Sequence, residues 1–157
     1  MDIIVRRATK ADLPALIRLD VLQTDYHAKL DPKALKTGRE LRSVFRKFFL
    51  KQLARRNGRT FVALDSKGVI GFLICEIQKM KIVYRFPKVG FISTVYVDKN
   101  ARHSGTGTAL LEEAVRWLKS KGMNRLELGV MCNNEIGMQF WEKQGFRPWW
   151  VKMWKKI

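Results

Sequence analysis

Residues Arg102 to Thr108 read RHSGTGT, a basic, glycine-bearing turn set between an apolar run, ISTVYVD, and an amphipathic stretch, LLEEAVRWLKS. The first amides of a helix have no intrahelical partner and lie at the positive end of its dipole, so a strand that passes through such a turn into a helix can converge N–H groups on an anion. Arg102 and His103 would add charge, and Gly105 and Gly107 would let a phosphate come close to the backbone. The turn is not a P-loop, since no GxxxxGKS or GxxxxGKT is present. It is not the dinucleotide fingerprint either, because Leu110 stands where the third glycine belongs. Taken alone, it is equally well a plain connection between strand and helix.

Other side chains able to do chemistry are scattered. Glu76 and Glu127 fall in apolar runs, Tyr96 in the run before the turn, and Asn134 just ahead of Glu135, where it suits a helix cap. His27 and His103 are the only histidines. Cys75 and Cys132 lie far apart with no CxxC and no histidine partner, which excludes a disulfide framework and a zinc site of ordinary spacing.

These residues need elements to hold them. Ile3, Ile4 and Val5 predict a short strand, and Thr9 with Asp12 a capping box for a helix carrying Leu13, Leu16, Ile17 and Leu19. The segment from Arg39 to Arg56 places Leu41, Val44, Phe45, Phe48 and Leu53 at helical spacing. RTFVAL and VIGFLICEI, joined through Asp65-Ser66-Lys67-Gly68, read as a hairpin, and VGFISTVYV as a third antiparallel strand. A helix is expected over 105–121, a strand in RLELGVM, a short helix in EIGMQFWEKQ and a last strand from Phe146. The order β, α, α, β, β, β, α, β, α, β is that of an α/β (α+β) chain, read as a single domain over 1–157 with no linker or repeat.

With the elements in place, the turn Arg102-His103-Ser104-Gly105-Thr106-Gly107 resembles the acyl-CoA pyrophosphate motif of the GNAT superfamily of N-acetyltransferases, R/Q-x-x-G-x-G/A. The run from Asn134 through Gly137, Phe140, Trp141, Glu142, Lys143 and Gly145 to Phe146 resembles that family's N-x-x-A-x-x-F-Y-E-K-x-G-F, and VRRATKADLPAL its opening strand and helix. The resemblance implies a strongly twisted mixed sheet flanked by about four helices, with two central parallel strands splayed around acetyl-CoA. It implies that Val95 and Val97 offer backbone groups to the pantetheine arm, that Arg102, His103, Ser104, Gly105, Thr106, Gly107 and Thr108 hold the pyrophosphate, and that Asn134 contacts the arm from the other side. The reaction implied is direct attack of a neutral amine on the thioester.

Two departures from the family pattern bear on catalysis. A base must deprotonate an amine of pKa near 10.4, yet Ser93 and Thr94 stand where relatives often carry Glu. Glu76 and Glu127 are the remaining acids near the expected cleft, each also readable as a solvated strand residue, with Glu76 preferred between them as the base acting through water. Trp141 replaces the usual Tyr that protonates the departing thiolate, and an indole has no proton to give at neutral pH. Tyr96 or a water as substitute donor, a slower enzyme, and a non-catalytic CoA-binding protein all stay open.

A net charge of +17, from 31 Lys+Arg against 14 Asp+Glu, favours polyanionic partners, such as an acidic or phosphorylated acceptor amine or nucleic acid. FRPWWVKMWKKI interleaves Trp149, Trp150 and Trp154 with lysines, which as a strand reads as one core face plus solvated lysines in preference to a nucleic-acid platform. The N-terminus MDIIVRRATK has neither a signal-peptide core nor a membrane span, so a cytoplasmic monomer or homodimer that binds no membrane and no metal is expected.

Overall fold

The structure, a computed structural model, describes residues 3–38 and 40–157. Five strands form one sheet in the order β1-β2-β3-β4-β5: β1 Ile4–Arg7, β2 Gly58–Asp65, β3 Gly68–Lys79, β4 Lys88–Val97 and β5 Leu126–Leu128. The first three junctions are antiparallel, and Ser66 and Lys67 form the turn of the β2–β3 hairpin. The fourth junction is parallel, because β4 and β5 are joined by a crossover through helix α3, Thr106–Ser120.

Helices α1, Leu13–Leu30, and α2, Leu41–Leu53, cover one face of the sheet, where Leu16, Leu19, Phe49, Val62, Phe72 and Ile74 make a buried cluster. On the other face α3 and α4, Glu135–Lys143, pack Leu110, Leu111, Ala114, Leu118 and Trp141 against Phe61, Leu73, Cys75 and Ile92. The capping box forms as expected: the Asp12 carboxylate accepts the Thr9 N–H at 2.7 Å and a bidentate pair from Arg6 at 2.8 Å. Helix α2 begins later than the apolar pattern suggested, and Arg39 lies outside the described residues.

A bulge in β4 shapes the centre of the molecule. Ile74 pairs with Thr94 and Cys75 with Ile92, so Ser93 is an extra residue. An extra residue inverts the alternation of side chains and bends the strand. Before it, Ile92 faces α3; after it, Val95 and Val97 pack on the α3 side and Tyr96 on the α1 side. Pairing of β4 with β5 covers Gly90 to Ile92 and stops at the bulge, so the two parallel strands separate there and β4 runs on with its β5-side edge unpaired.

Two expectations are corrected. RLELGVM does not stay a strand to Met131: β5 ends at Leu128, where β4 has bent away and offers no ladder. The last strand from Phe146 does not form, and residues 146–157 have no regular structure. Joining the sheet would mean pairing with β5, which is only three residues long, and Pro148 could not donate to a ladder. The core face expected for this segment is therefore absent: Trp150 is 75% and Trp154 81% exposed. Trp149 instead meets the Arg125 guanidinium, whose carbon lies 4.3 Å from its ring centroid and 4.4 Å from that of Phe86. Among the described residues, no helix is long and apolar enough to cross a membrane.

Candidate active site

The separation of β4 from β5 opens a cavity of about 510 Å³. One wall is β4 from Ile92 to Val97, the opposite wall Leu128 to Met131, the floor the start of α3 with Phe140 and Trp141 of α4, and the roof the C-terminal half of α1.

At one end stands the glycine turn. Gly105 precedes α3 with φ +83°, a left-handed conformation that glycine adopts without strain. His103 is also left-handed, at φ 63°, and two such residues in three fold the turn back over the helix start. The first helical bond runs from the Ala109 N–H to the Gly105 carbonyl at 2.9 Å, leaving the N–H groups of Thr106, Gly107 and Thr108 outside the helical ladder. Ser104 and Thr106 use their hydroxyls internally, both donating to the Ala101 carbonyl, at 2.7 and 3.3 Å. Ser104 is also the one turn residue of the expected set that does not line the cavity. A Cβ on Gly107 would lie 3.1 Å from the Phe140 ring, so glycine there allows α4 to close on the first turn of α3.

The unpaired edge of β4 presents the carbonyls of Val95 and Val97. Gln23 Nε2 donates to the first at 3.1 Å and Arg102 Nε to the second at 3.2 Å. The Arg102 guanidinium is held between the rings of Tyr26 and Tyr96, at 5.7 and 5.6 Å from their centroids. Across the cavity Asn134 caps α4: its Oδ1 accepts the Gly137 N–H at 3.0 Å and the Tyr26 hydroxyl at 2.9 Å. Both lone-pair directions of that oxygen are thereby used, and the Nδ2 hydrogens remain to donate. A Cβ on residue 137 would sit 2.6 Å from Asn134 Nδ2, which explains why glycine stands where the signature has alanine.

Trp141 lines the cavity as part of the core, 7% exposed, with its ring edge-on to Phe140 at 4.8 Å and Phe146 at 5.2 Å. Tyr96 lines it too, and burial pushes its hydroxyl above the usual phenol range. Glu76 is not brought there. It faces α2, paired with Arg55 and accepting from Gln78 at 2.7 Å. Glu127 is held by Arg125 at 2.6 Å and does not line the cavity either.

Sequence reasoning missed the roof. Gln23, Tyr26 and His27 lie at i, i+3 and i+4 on α1 and all line the cavity. That spacing was the available signal, hidden because the segment's polar residues break the apolar stripe by which a helix is recognised.

Unpaired amides at one end, an unpaired strand edge along one wall and the Gln23 Oε1, buried and among the described residues without a partner, fit a long ligand with phosphates at its head and amides along its arm. Fold and site thus define an acyl-CoA-binding α/β domain. Residues 21–146 match the acetyltransferase (GNAT) family, and the chain belongs to it. An uncharacterised N-acetyltransferase of Methanocaldococcus jannaschii is 27% identical over 117 residues, 71% of this chain and 51% of that protein. N-alpha-acetyltransferase 30 of Schizosaccharomyces pombe is 32% identical over 88 residues, 55% of this chain and 56% of that protein. The chain therefore spans about half the length of these curated relatives. Among solved structures, a predicted acetyltransferase with acetyl-CoA from Clostridium acetobutylicum superposes with a TM-score of 0.76 at 17% identity, over 97% of this chain and 96% of that one. The family's cofactor is acetyl-CoA.

Proposed function

We propose that this domain transfers an acetyl group from acetyl-CoA to a primary amine by direct attack, with both substrates bound at once. The observation that carries the reading is the continuous cavity from the β4 bulge to the unpaired amides of α3. The N–H groups of Thr106, Gly107 and Thr108, with Arg102 and His103, would hold the pyrophosphate. Val95, Val97, Asn134 Nδ2 and Gln23 Oε1 would take the amide-bearing arm, Gln23 and Arg102 yielding the two carbonyls they now occupy. When bound, acetyl-CoA supplies an activated acyl group in thioester linkage.

Trp141, in the floor of the cavity, would pack against the acyl end and exclude water. Tyr96, a phenol that lines the cavity and that burial makes a weaker acid, would donate to the leaving sulfur. Glu76 takes no step while Arg55 holds it. Trp141→Tyr should leave turnover unchanged or raised and cost a few degrees of Tm through the smaller ring. A large fall in turnover with the fold intact would show that the indole has a role beyond packing.

The acceptor we favour is the α-amine of an acidic peptide. Among the described residues no carboxylate lines the cavity, and an α-amine, with a pKa of about 7.7–8.0 against about 10.4 for lysine, needs far less help to become neutral. Similarity to an N-alpha-acetyltransferase supports the same choice, and the charge of +17 suits an acidic chain. Thiol release from acetyl-CoA should be fastest with a free-N-terminal acidic peptide and slow with its N-blocked, lysine-bearing counterpart. Equal rates with both would remove the α-amine preference.

A further inference from the structure

Among the described residues, the titratable groups that line the cavity are His27 and Tyr26 from α1, Tyr96 from β4, Arg102 and His103 from the turn, and Lys143 from α4, while β5 and α3 contribute none. The guanidinium of Arg102 and the ammonium of Lys143 are donors with no lone pair to offer. The Tyr26 hydroxyl is committed as donor to Asn134 Oδ1, and burial strengthens the hold of Tyr96 on its proton. His103 is exposed, in the phosphate-holding turn. His27 is different. It is half-buried on the roof, one helical turn beyond Gln23, the residue that reaches the β4 edge at Val95, and its ring lies 5.6 Å from that of Tyr26.

We propose that His27 takes the proton from the acceptor amine, an assignment that rests on the acetyl transfer proposed above and supplies the base that Ser93, Thr94 and Glu76 do not. The amine nitrogen bonds the acetyl carbonyl carbon and the carbon–sulfur bond breaks. The proton that nitrogen loses passes to an imidazole nitrogen of His27, and the sulfur leaves as thiolate, which takes a proton from Tyr96 or water. An acceptor arriving as ammonium sheds its extra proton to solvent through the same imidazole. Burial moves His27 below the usual histidine pKa, so the ring is neutral, and able to accept, at pH 7.

The chain has two histidines, so an NMR titration of the imidazole C–H signals is assigned by the one that His27→Gln removes. The His27 signal should titrate below about 6.5, and kcat/KM for wild type, expressed on the concentration of neutral amine so that the acceptor's own ionisation is removed, should fall toward acid around that same pKa. His27→Gln, or His27→Asn should the first variant misfold, should lower kcat about 100-fold or more, abolish the acidic limb and keep the thermal stabilisation by acetyl-CoA. Burial pushes Asp20, seven residues earlier on α1, up to about 6, so Asp20→Asn is the control and should keep the limb. A folded His27→Gln or His27→Asn with wild-type rate and limb, or a limb that follows Asp20→Asn, overturns the assignment and leaves the reaction standing. Absence of thiol release from wild type with every amine, despite acetyl-CoA binding, overturns the reading beneath it.

Discussion

Gly105→Glu yields a folded protein that acetyl-CoA no longer stabilises. The substituted carboxylate would stand at the mouth of the turn, where among the described residues the N–H groups of Thr106, Gly107 and Thr108 have no other partner, and would occupy the place of the pyrophosphate with charge of the same sign. Losing even one charge-assisted hydrogen bond costs about 1.5–3 kcal/mol, and repulsion adds to it, so affinity should fall at least about 100-fold, or ~2.8 kcal/mol. At φ +83° any side chain adds backbone strain of roughly 1–2 kcal/mol, so Tm should drop by a few degrees for that reason alone. Gly105→Asn separates the two effects, because asparagine tolerates the left-handed conformation and brings no charge. It should keep most of the affinity. Thermal unfolding of both variants with and without acetyl-CoA is the check, and undiminished stabilisation of folded Gly105→Glu would show that the turn is not the phosphate site.

Asp20→Asn should stabilise the protein at neutral pH and leave it unchanged in acid. Asp20 is 8% exposed on α1, and among the described residues nothing donates a hydrogen bond to its carboxylate. Desolvation raises its pKa from 3.8 to about 6. The folded state therefore binds this proton more tightly than the unfolded chain. The stability associated with it is fully present below about pH 4 and is lost as pH rises through about 6. A shift of about two units corresponds to ~3 kcal/mol at pH 7.5, which for a chain of this size is on the order of 5–10 °C in Tm. The neutral isostere avoids that cost, so Tm curves of the two proteins should meet near pH 4.5 and diverge up to pH 8. Destabilisation by Asn that is equal at all pH values would mean that the carboxylate, charged or not, makes a contact the fold needs.

Much of the scaffold was legible in the chain. Antiparallel strands β2 to β4 were readable because Phe61, Leu73 and Ile92 recur in β-rich runs bounded by turn residues, and α3 because Leu110, Leu111, Ala114 and Leu118 keep the helical period between Gly105 and Gly122. The glycine turn was legible because only a few residue types allow a backbone to close on an anion. The bulge at Ser93 was not, since FISTVYV has the composition of an uninterrupted strand and nothing local marks the extra residue. The final strand failed for the opposite reason: the segment alternates like a strand but has no adequate edge to join. The roof of the site was hidden by its own chemistry. Helix α1 continues to Leu30 because Gln23 and Tyr26 bond to Val95 and Asn134 and Leu30 accepts from Asn133, and these long-range polar contacts leave no periodic trace.

Thermal unfolding of the wild-type protein with and without acetyl-CoA, with NAD and a short RNA as controls at moderate salt, tests the central claim most directly. A ligand present at 100 times its Kd stabilises by about 2.7 kcal/mol, and acetyl-CoA alone should produce a shift of that size. Stabilisation by RNA alone, weakening as salt rises, would contradict the account and make the basic surface, rather than the cavity between β4 and β5, the working part of the molecule.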